Sequence, residues 1–347
     1  MIHGGIKYAL SGAWSGSSEA ISAMPAIWRS CLSGEGKVDL RQCNVLSENF
    51  YLWSHTGLTS RVSSFFASKM LRGRVEKLPR EHYPPPLRSP QFKGQAYRLV
   101  DLVLDVPSLV TALADQHRDA IFSIDWSTAK LAVDDRQALL QTPACELRPR
   151  QLLLTAGTGN EELVKALGGT EPAMQRRPLQ QVLVKHEYAE PFYSHCTGAS
   201  SSPRLTISSH RTSRGEPVWY LGGDLATEGA DAPEQELIAK ARHELDELMP
   251  WIDFGQCQWR TLRLDRGEPR QSALLRPDSA FVGAVDSVDN ALVAWPTKLS
   301  LSPNLADEID LALAQRGIEP VPSPDLGPLQ TMGRPAIAQS CWDSLFS

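Results

Sequence analysis

Apolar residues recur with helical spacing in several segments of the chain. The clearest case is 233–249, and a second helix is predicted over 17–32 despite Pro25. Further helices are predicted over 60–71, over 107–119 with proline in the first position, and over 304–317, which ends at a glycine. The apolar faces of the two clearest helices comprise Ile21, Met24, Ile27, Trp28 and Cys31, and Leu237, Ile238, Ala241, Leu245 and Leu248.

Alternating or continuous apolar runs predict strands between these helices. Residues 151–168 pass from an apolar run through a glycine turn into an amphipathic segment, which indicates a buried strand that leads into a helix. The short runs between 178 and 223 favour an antiparallel sheet, because Gly, Ser and Pro turns separate them. The other predicted strands are 44–54, 98–106, 120–126, 259–269, 279–285 and 290–296.

Two proline-rich segments are predicted to lie outside the regular structure. Residues 72–97 combine basic residues with a run of prolines, and we expect a surface-exposed linker or loop there. The last 30 residues contain five prolines and are expected to form a loosely structured tail. Strands and helices alternate elsewhere, so the predicted class is α/β.

Composition limits the partners of the chain. With 347 residues, of which 42% are apolar, two globular domains are expected. A net charge of −5 argues against a nucleic-acid binder and favours small molecules as partners. The six cysteines are scattered without metal-ligand spacing, so reduced thiols in a cytoplasm and no metal site are expected. No run is long and apolar enough to span a membrane, which leaves peripheral membrane contact open.

Glycine or lysine marks three separated segments, IHGGIKY (2–8), LTAGTGN (154–160) and WPTKLSLSPNLADE (295–308). Each one alone is most simply a turn. Glycine also lets a ligand approach the backbone closely, and a turn that opens a helix presents N–H groups to an anion or a ring. Their order, with an antiparallel sheet between the second and the third, makes the three together more informative than any one alone.

These segments resemble the flavoprotein oxidoreductases of the D-amino-acid-oxidase type, and most of all the FAD-dependent glycerol-3-phosphate dehydrogenases. His3–Tyr8 is similar to the family's His-Gly-Gly-Leu-Arg-Tyr, with Lys7 in place of arginine, and 155–157 resembles its Ala-Ala/Thr-Gly. Residues 221–224 resemble its Ile-Gly-Thr-Thr-Asp, and 265–269 its Gly-Val-Arg-Pro. The C-terminal Gly-Lys-Leu-Thr of the family, followed by Leu-Ala-Glu, is similar to 297–300 and 305–308.

The resemblance implies a discontinuous Rossmann-like FAD-binding domain (1–35, 98–170 and 280–317) and an inserted antiparallel-sheet substrate domain (36–97 and 171–279), with a Pro-rich tail over 318–347. It also implies which residues meet FAD. The cofactor-binding candidates are His3, Gly4, Gly5, Ala156, Gly157, Thr297, Lys298, Leu299 and Ser300.

Three cations are candidates for catalysis or for holding an anionic substrate. Lys298 could stabilise the reduced flavin or the substrate charge, and the alternative is a solvated lysine near a helix start. Lys7 and Arg266 suit a carboxylate or a phosphate, although Arg266 could pair with Asp265 or Glu268 instead. The general base stays open, because the residues nearby in sequence, His186, His195 and His210, are more often structural in a strand-rich region.

One part of the family pattern is absent from the sequence, namely the initial βαβ unit with its G-x-G-x-x-G turn for the FAD pyrophosphate. We therefore expect an incomplete FAD-binding domain that holds FAD weakly unless about 40 preceding residues are restored. The predicted function is hydride transfer from a small anionic hydroxy or amino compound to flavin, with oxygen or a quinone as acceptor. The alternatives are a non-catalytic remnant and a small-acid binding module.

Overall fold

The computed structural model describes residues 1–5, 17–55, 75–198, 202–271, 279–321 and 325–347, and for 17–20 only the backbone. The predicted helix over 60–71 lies outside these ranges. Within them, no helix has both the length and the apolar character needed to cross a bilayer. The helices are α1 Ser17–Ser33, α2 Val106–Gln116, α3 Asn160–Ala166, α4 Asp224–Glu228, α5 Glu234–Leu248, α6 Ser302–Gln315 and α7 Cys341–Phe346.

The strands form one large sheet and several small ones. The strands are β1 Val45–Ser47, β2 Phe50–Ser54, β3 Val75–Lys77, β4 Gln95–Leu99, β5 Val103–Leu104, β6 Lys130–Asp134, β7 Gln137–Gln141, β8 Glu146–Leu147, β9 Leu152–Leu154, β10 Met174–Lys185, β11 Tyr193–Thr197, β12 Pro203–Arg211, β13 Pro217–Gly222, β14 Gln258–Pro269, β15 Phe281–Ala284 and β16 Ala291–Trp295. The large sheet has eight strands in the order β14-β10-β13-β12-β11-β2-β4-β3. Its pairs are antiparallel except β2 with β11.

One face of the large sheet is covered by α5. Apolar residues of that helix, among them Leu237, Ala241 and Leu245, share a buried cluster with Val182 and Trp219 of the sheet. The helical spacing in 233–249 therefore predicted the buried face of α5 correctly. Because side chains alternate between the faces of a strand, the opposite face of the same strands remains available for other contacts.

A smaller sheet, β15-β16-β9, lies beside the large one. Strands β9 and β16 run parallel, so their carboxyl ends meet at one edge, and each strand leads into a turn and a helix, α3 or α6. The N-terminal residues pair with the segment between β4 and β5 through an isolated bridge between Ile2 and Leu102. The result is the predicted mixed α/β fold.

The prediction of an exposed linker over 72–97 is wrong for the part that the structure describes. Strands β3 and β4 form the edge of the large sheet there, and short 3-10 helices at Arg80–His82 and Pro85–Leu87 connect them. Leu87 and Phe92 are fully buried in the main apolar cluster. Proline is compatible with the first turn of such helices, so the proline run signalled tight turns rather than exposure.

Residues 120–126 also differ from the sequence prediction, because no strand forms over this described segment. It runs instead beside the C-terminal residues: Ser123 N donates to Gly333 O (2.7 Å), and the Arg334 guanidinium lies 4.2 Å from the centroid of the Phe122 ring. The apolar run in 120–126 predicted a strand, but the segment has no neighbouring strand with which to pair in the described part of the chain. Trp126, at its end, is half exposed.

The end of the tail is more ordered than expected. Helix α7 is capped by Ser340, whose hydroxyl accepts from Asp343 N, and Phe346 is buried against Leu183 and Val218 of the large sheet. The prolines precede this helix, and its aromatic and apolar residues supply the contact with the sheet. The tail therefore covers part of the sheet face that α5 leaves open.

Candidate active site

The sheet face opposite α5 lines a cavity of about 680 Å³. Its wall is built from alternate residues of neighbouring strands, as the two-residue period of a strand requires. These wall residues are Phe50, Leu179, Gln181, His195, Thr206, Ser208, His210, Tyr220, Gly222, Leu264 and Arg266. Met1, the start of α2 and residues 337–342 of the tail close the other sides. The cavity thus lies between the sheet and elements from both ends of the chain.

Arg266, a sequence candidate, is on this wall. Its cross-strand partner on β10 is Arg177, whose guanidinium lies 3.5 Å from the buried Glu268 carboxylate. The Asp265 carboxylate lies 3.6 Å from the guanidinium of Arg176, which is also on β10. Asp265 and Glu268, the two alternative partners of Arg266 in the sequence analysis, therefore each have an arginine of β10 beside them. Among the described lining residues, Arg266 is the only arginine or lysine.

A carboxylate also lines the cavity. Asp224 follows β13 and accepts a hydrogen bond from the hydroxyl of Ser202, and both residues line the cavity. Gly223, immediately before it, has φ +86°, and a Cβ there would lie 2.6 Å from Pro203 O. Only glycine fits this backbone, and the turn carries Asp224 to the cavity. The sequence motif 221–224 marked this strand end without indicating Asp224 as a site residue.

Two histidines that the sequence left as structural also line the cavity. His195 Nδ1 is 2.8 Å from Thr206 Oγ1, and His210 Nε2 is 3.1 Å from Ser208 Oγ. Burial lowers the pKa of His210 to about 4, so its ring is neutral at pH 7. The alternation of Thr206, Ser208 and His210 along β12 was the available signal, since these polar residues share one face.

His186 lies away from this cavity. Its ring packs edge-on against Trp219 at 4.8 Å, and its Nδ1 accepts from the Tyr188 backbone N–H. Burial lowers the pKa of His186 to about 4, and the charge of Arg211 acts in the same direction. Of the three histidines weighed from the sequence, two therefore line the cavity and one does not.

The first and last cofactor-binding candidates meet in a buried cluster. His3 N donates to Ser300 Oγ (3.0 Å), and the Trp28 indole of α1 donates to Ser300 O (3.0 Å). Gly4 N donates to the buried carboxylate of Asp101 (3.0 Å). Segments almost 300 positions apart in sequence are thus joined, and Met1, two residues before His3, reaches the cavity.

The glycine turn after β9 contacts the candidate segment 295–308 at the end of β16. Gly157 O accepts from the Trp295 indole at the end of β16 (3.0 Å), and a Cβ on Gly267 would lie 3.0 Å from the same oxygen. Gly157 has φ +61°, and no atom lies within 4 Å of a Cβ built there. An open glycine backbone at the carboxyl ends of parallel strands is where this class of fold receives a cofactor, so these residues fit FAD.

The last candidate segment follows β16. Thr297 has φ +60°, a left-handed conformation that explains why the family pattern has glycine at this position. Lys298 is half-buried and extended, Leu299 is exposed, and Ser300 is buried. Lys298 is not among the residues that line the cavity. Lys7 lies outside the described residues.

Parallel strands with an open glycine turn, beside an antiparallel sheet that carries an arginine-containing cavity, form the arrangement expected from the sequence resemblance to flavin-dependent oxidoreductases. No protein-family model matches the chain. The chain is 47% identical over 356 residues to a probable FAD-dependent oxidoreductase of Pseudomonas aeruginosa, and the match covers all of this chain and 87% of the relative.

Solved structures of related folds agree with this sequence match. The crystal structure of the FAD-dependent oxidoreductase from Pseudomonas aeruginosa superimposes with a TM-score of 0.83 at 42% identity, covering 100% of this chain and 86% of that one. Iminodiacetate oxidase from Chelativorans has a TM-score of 0.61 at 13% identity, with 94% and 86% of the two chains covered. Glycine oxidase from Geobacillus kaustophilus has 0.59 at 14%, with 93% and 85% covered, and shares the fold.

The chain belongs to the FAD-dependent oxidoreductases with the fold of the amino-acid oxidases. The cofactor of this family is FAD, as the resemblance predicted.

Proposed function

We propose that the chain is an FAD-dependent enzyme that oxidises a small amino acid bound in the large-sheet cavity. The observation that carries this proposal is the pair of opposite charges among the described lining residues, with Arg266 as the one basic side chain of lysine or arginine type and Asp224 as the one carboxylate. An amino acid presents the complementary pair, a carboxylate and an ammonium. The fold that the chain shares with glycine oxidase and iminodiacetate oxidase supports this class of substrate.

Each charged residue has a distinct role in this proposal. Arg266 binds the substrate carboxylate, because a guanidinium offers parallel donors to two oxygens. Asp224 accepts hydrogen bonds from the substrate amine. The hydroxyl of Ser202 donates to the Asp224 carboxylate and holds it at the end of β13. The apolar part of the wall, including Phe50 and Leu264, excludes water from the reacting carbon.

FAD, when bound, would supply the redox chemistry by accepting a hydride from the carbon that bears the amine, after the ammonium has lost a proton to Asp224 or to solvent, so that the product is an iminium. His3, Gly4, Gly5, Ala156, Gly157 and 297–300 are proposed to hold it. The neutral His210 adds no positive charge to the wall, so the carboxylate of the substrate is directed to Arg266. We also propose that the chain has two parts. The cofactor-binding part comprises 1–35, 98–170 and 280–317, and the substrate-binding part comprises 36–97 and 171–279.

Two other substrate classes, glycerol-3-phosphate-like compounds and 2-hydroxy acids, are less well matched. A phosphate ester carries close to two negative charges, whereas Arg266 alone offers a fixed cationic side chain among the described lining residues. A 2-hydroxy acid has no ammonium for Asp224. Oxygen and a quinone both remain candidates for the electron acceptor.

Replacement of Arg266 tests the proposal. Arg266→Met should lower kcat/KM for a small amino acid by about 100-fold, because a charge-assisted hydrogen bond to a carboxylate is lost. Arg263→Met is the matched control, since Arg263 is on the same strand but bonds to Gln180 and Ala232 on the other face. Equal kcat/KM for the two variants would remove Arg266 from the substrate site. Visible absorbance of bound flavin, recorded for each variant, separates loss of substrate binding from loss of FAD.

A further inference from the structure

A second cavity of about 390 Å³ lies at the end of the large sheet, next to the first. His210 and Trp342 line both cavities, and their rings stack with centroids 3.9 Å apart and planes at 14°. This stacked pair is therefore a wall between the two spaces. The second cavity is built mainly from the turn after β10 and from residues of β11, β12 and β13.

Aromatic side chains form much of this second cavity. Tyr188 and Trp219 pack edge to face with centroids 6.0 Å apart, and Tyr193 and Trp342 line other parts of the wall. Burial raises the pKa of Tyr193 to about 12, so its phenol is neutral at pH 7. Such a lining suits a flat apolar body that contacts ring faces and edges.

Two side chains that line this cavity, His186 and Trp219, each carry a buried N–H group, on Nε2 and on the indole, that has no hydrogen-bond acceptor among the described residues. His186 is 5% exposed and Trp219 is fully buried. The Tyr188 backbone N–H donates to His186 Nδ1, and the low pKa keeps the ring neutral, so the ring proton is on Nε2. Two N–H donors on neighbouring rings thus have no acceptor among the described residues. A buried donor without an acceptor lowers the stability of the fold, and a bound ligand that accepts from it would remove this cost.

One cationic side chain, Arg211, is in the described lining of the second cavity and favours an anionic acceptor near these donors. Arg211 lines the cavity, is fixed by bonds to Ala189 O and Gly215 O, and acts electrostatically on both His186 and Tyr193. Of the two carboxylates in the lining, Asp105 accepts from Ser108 N at the start of α2, where the helix dipole stabilises its charge, and it opposes the effect of Arg211 on Tyr193. Burial raises the pKa of Tyr188, and the charge of Glu190, the other carboxylate, acts in the same direction.

We propose that this second cavity binds a small aromatic carboxylate, with its carboxylate accepting from His186 Nε2–H and Trp219 Nε1–H and its ring against Tyr188 and Trp342. The site is separate from the proposed substrate cavity, since Arg266 and Asp224 line only the first. Its ligand needs one negative charge and a flat body, and neither hydride transfer nor FAD is involved in its recognition.

Calorimetric titration of the full chain with benzoate tests this site. Arg266→Met serves as the background, because benzoate also offers a carboxylate to the first cavity. In that background, Trp219→Phe should weaken benzoate binding about tenfold, since it keeps a ring but removes one donor to a charged acceptor. Arg211→Met, on a more exposed residue, should weaken binding in the same direction. Benzyl alcohol, which is neutral, should bind at least about tenfold more weakly than benzoate.

Trp259→Phe is the matched control, because its indole N–H is also buried without a partner but Trp259 is not in the described lining of the cavity. It should leave benzoate affinity unchanged. The proposal is overturned if benzoate does not bind in the Arg266→Met background, or if Trp219→Phe, Arg211→Met and Trp259→Phe bind it equally. Either result is independent of whether the enzyme oxidises an amino acid.

Discussion

The large-sheet cavity takes its chemistry from single residues that separate strands bring to one face. Arg266 was found because the segment 265–269 resembles a family pattern, and it lines the cavity. His195 and His210 belong to no motif, and only the register of β11 and β12 brings them to the same wall. Thr297 departs from the family glycine yet keeps its left-handed backbone.

His186 makes the pH dependence of stability testable. Its pKa falls from 6.5 in an exposed chain to about 4 in the fold, so between these values the unfolded chain takes up a proton that the folded chain does not. Stability should therefore fall as the pH falls through this window, by about 2 kcal/mol at pH 5 from this residue. Denaturant unfolding at pH 7 and pH 5 should show a smaller loss for His186→Gln than for the parent chain. The exposed His82→Gln serves as a control, and equal losses in all three proteins would refute the assignment.

At the scale of elements, the buried face of α5 was predicted correctly, whereas Ile27, expected on the apolar face of α1, is exposed. Segments that depend on tertiary partners were predicted poorly. Helix α5 could be read from its own spacing. Segment 120–126 has the composition of a strand but finds the tail, not a sheet edge, beside it. Segment 72–97 has the composition of a loop, but its described residues, 75–97, contribute to the outer strands of the large sheet. Whether such a segment forms a strand depends on the neighbours that the fold places beside it, and these are distant in sequence.

The buried position of Phe92 gives a direct test of the corrected segment. Phe92→Ala should lower the free energy of unfolding by about 3–5 kcal/mol, because it leaves a cavity among Trp53, Tyr83 and Trp251. The exposed neighbour Gln91→Ala should change it by less than about 0.5 kcal/mol. Chemical denaturation measures both. A similar small effect for the two variants would mean that 72–97 is a surface loop after all.

At the scale of the whole molecule, the order of the candidate ligand segments was visible in the sequence, but the contacts between them were not. Two contacts join them, from His3 to Ser300 and from Gly157 to Trp295, and Gly267 abuts the same glycine turn. The charged cavity could not be foreseen, because it combines alternate residues of several strands with both ends of the chain. The tail, expected to be loose, closes one side of that cavity.

Anaerobic mixing of the FAD-containing protein with small amino acids tests the central claim most directly. We expect the visible absorbance of the bound flavin to bleach with glycine or another small amino acid, at a rate that saturates with substrate concentration. The matching 2-hydroxy acids and glycerol-3-phosphate should bleach it much more slowly, because they do not match both Arg266 and Asp224. A flavin-containing protein that glycerol-3-phosphate or a 2-hydroxy acid reduces faster than any small amino acid would contradict the account.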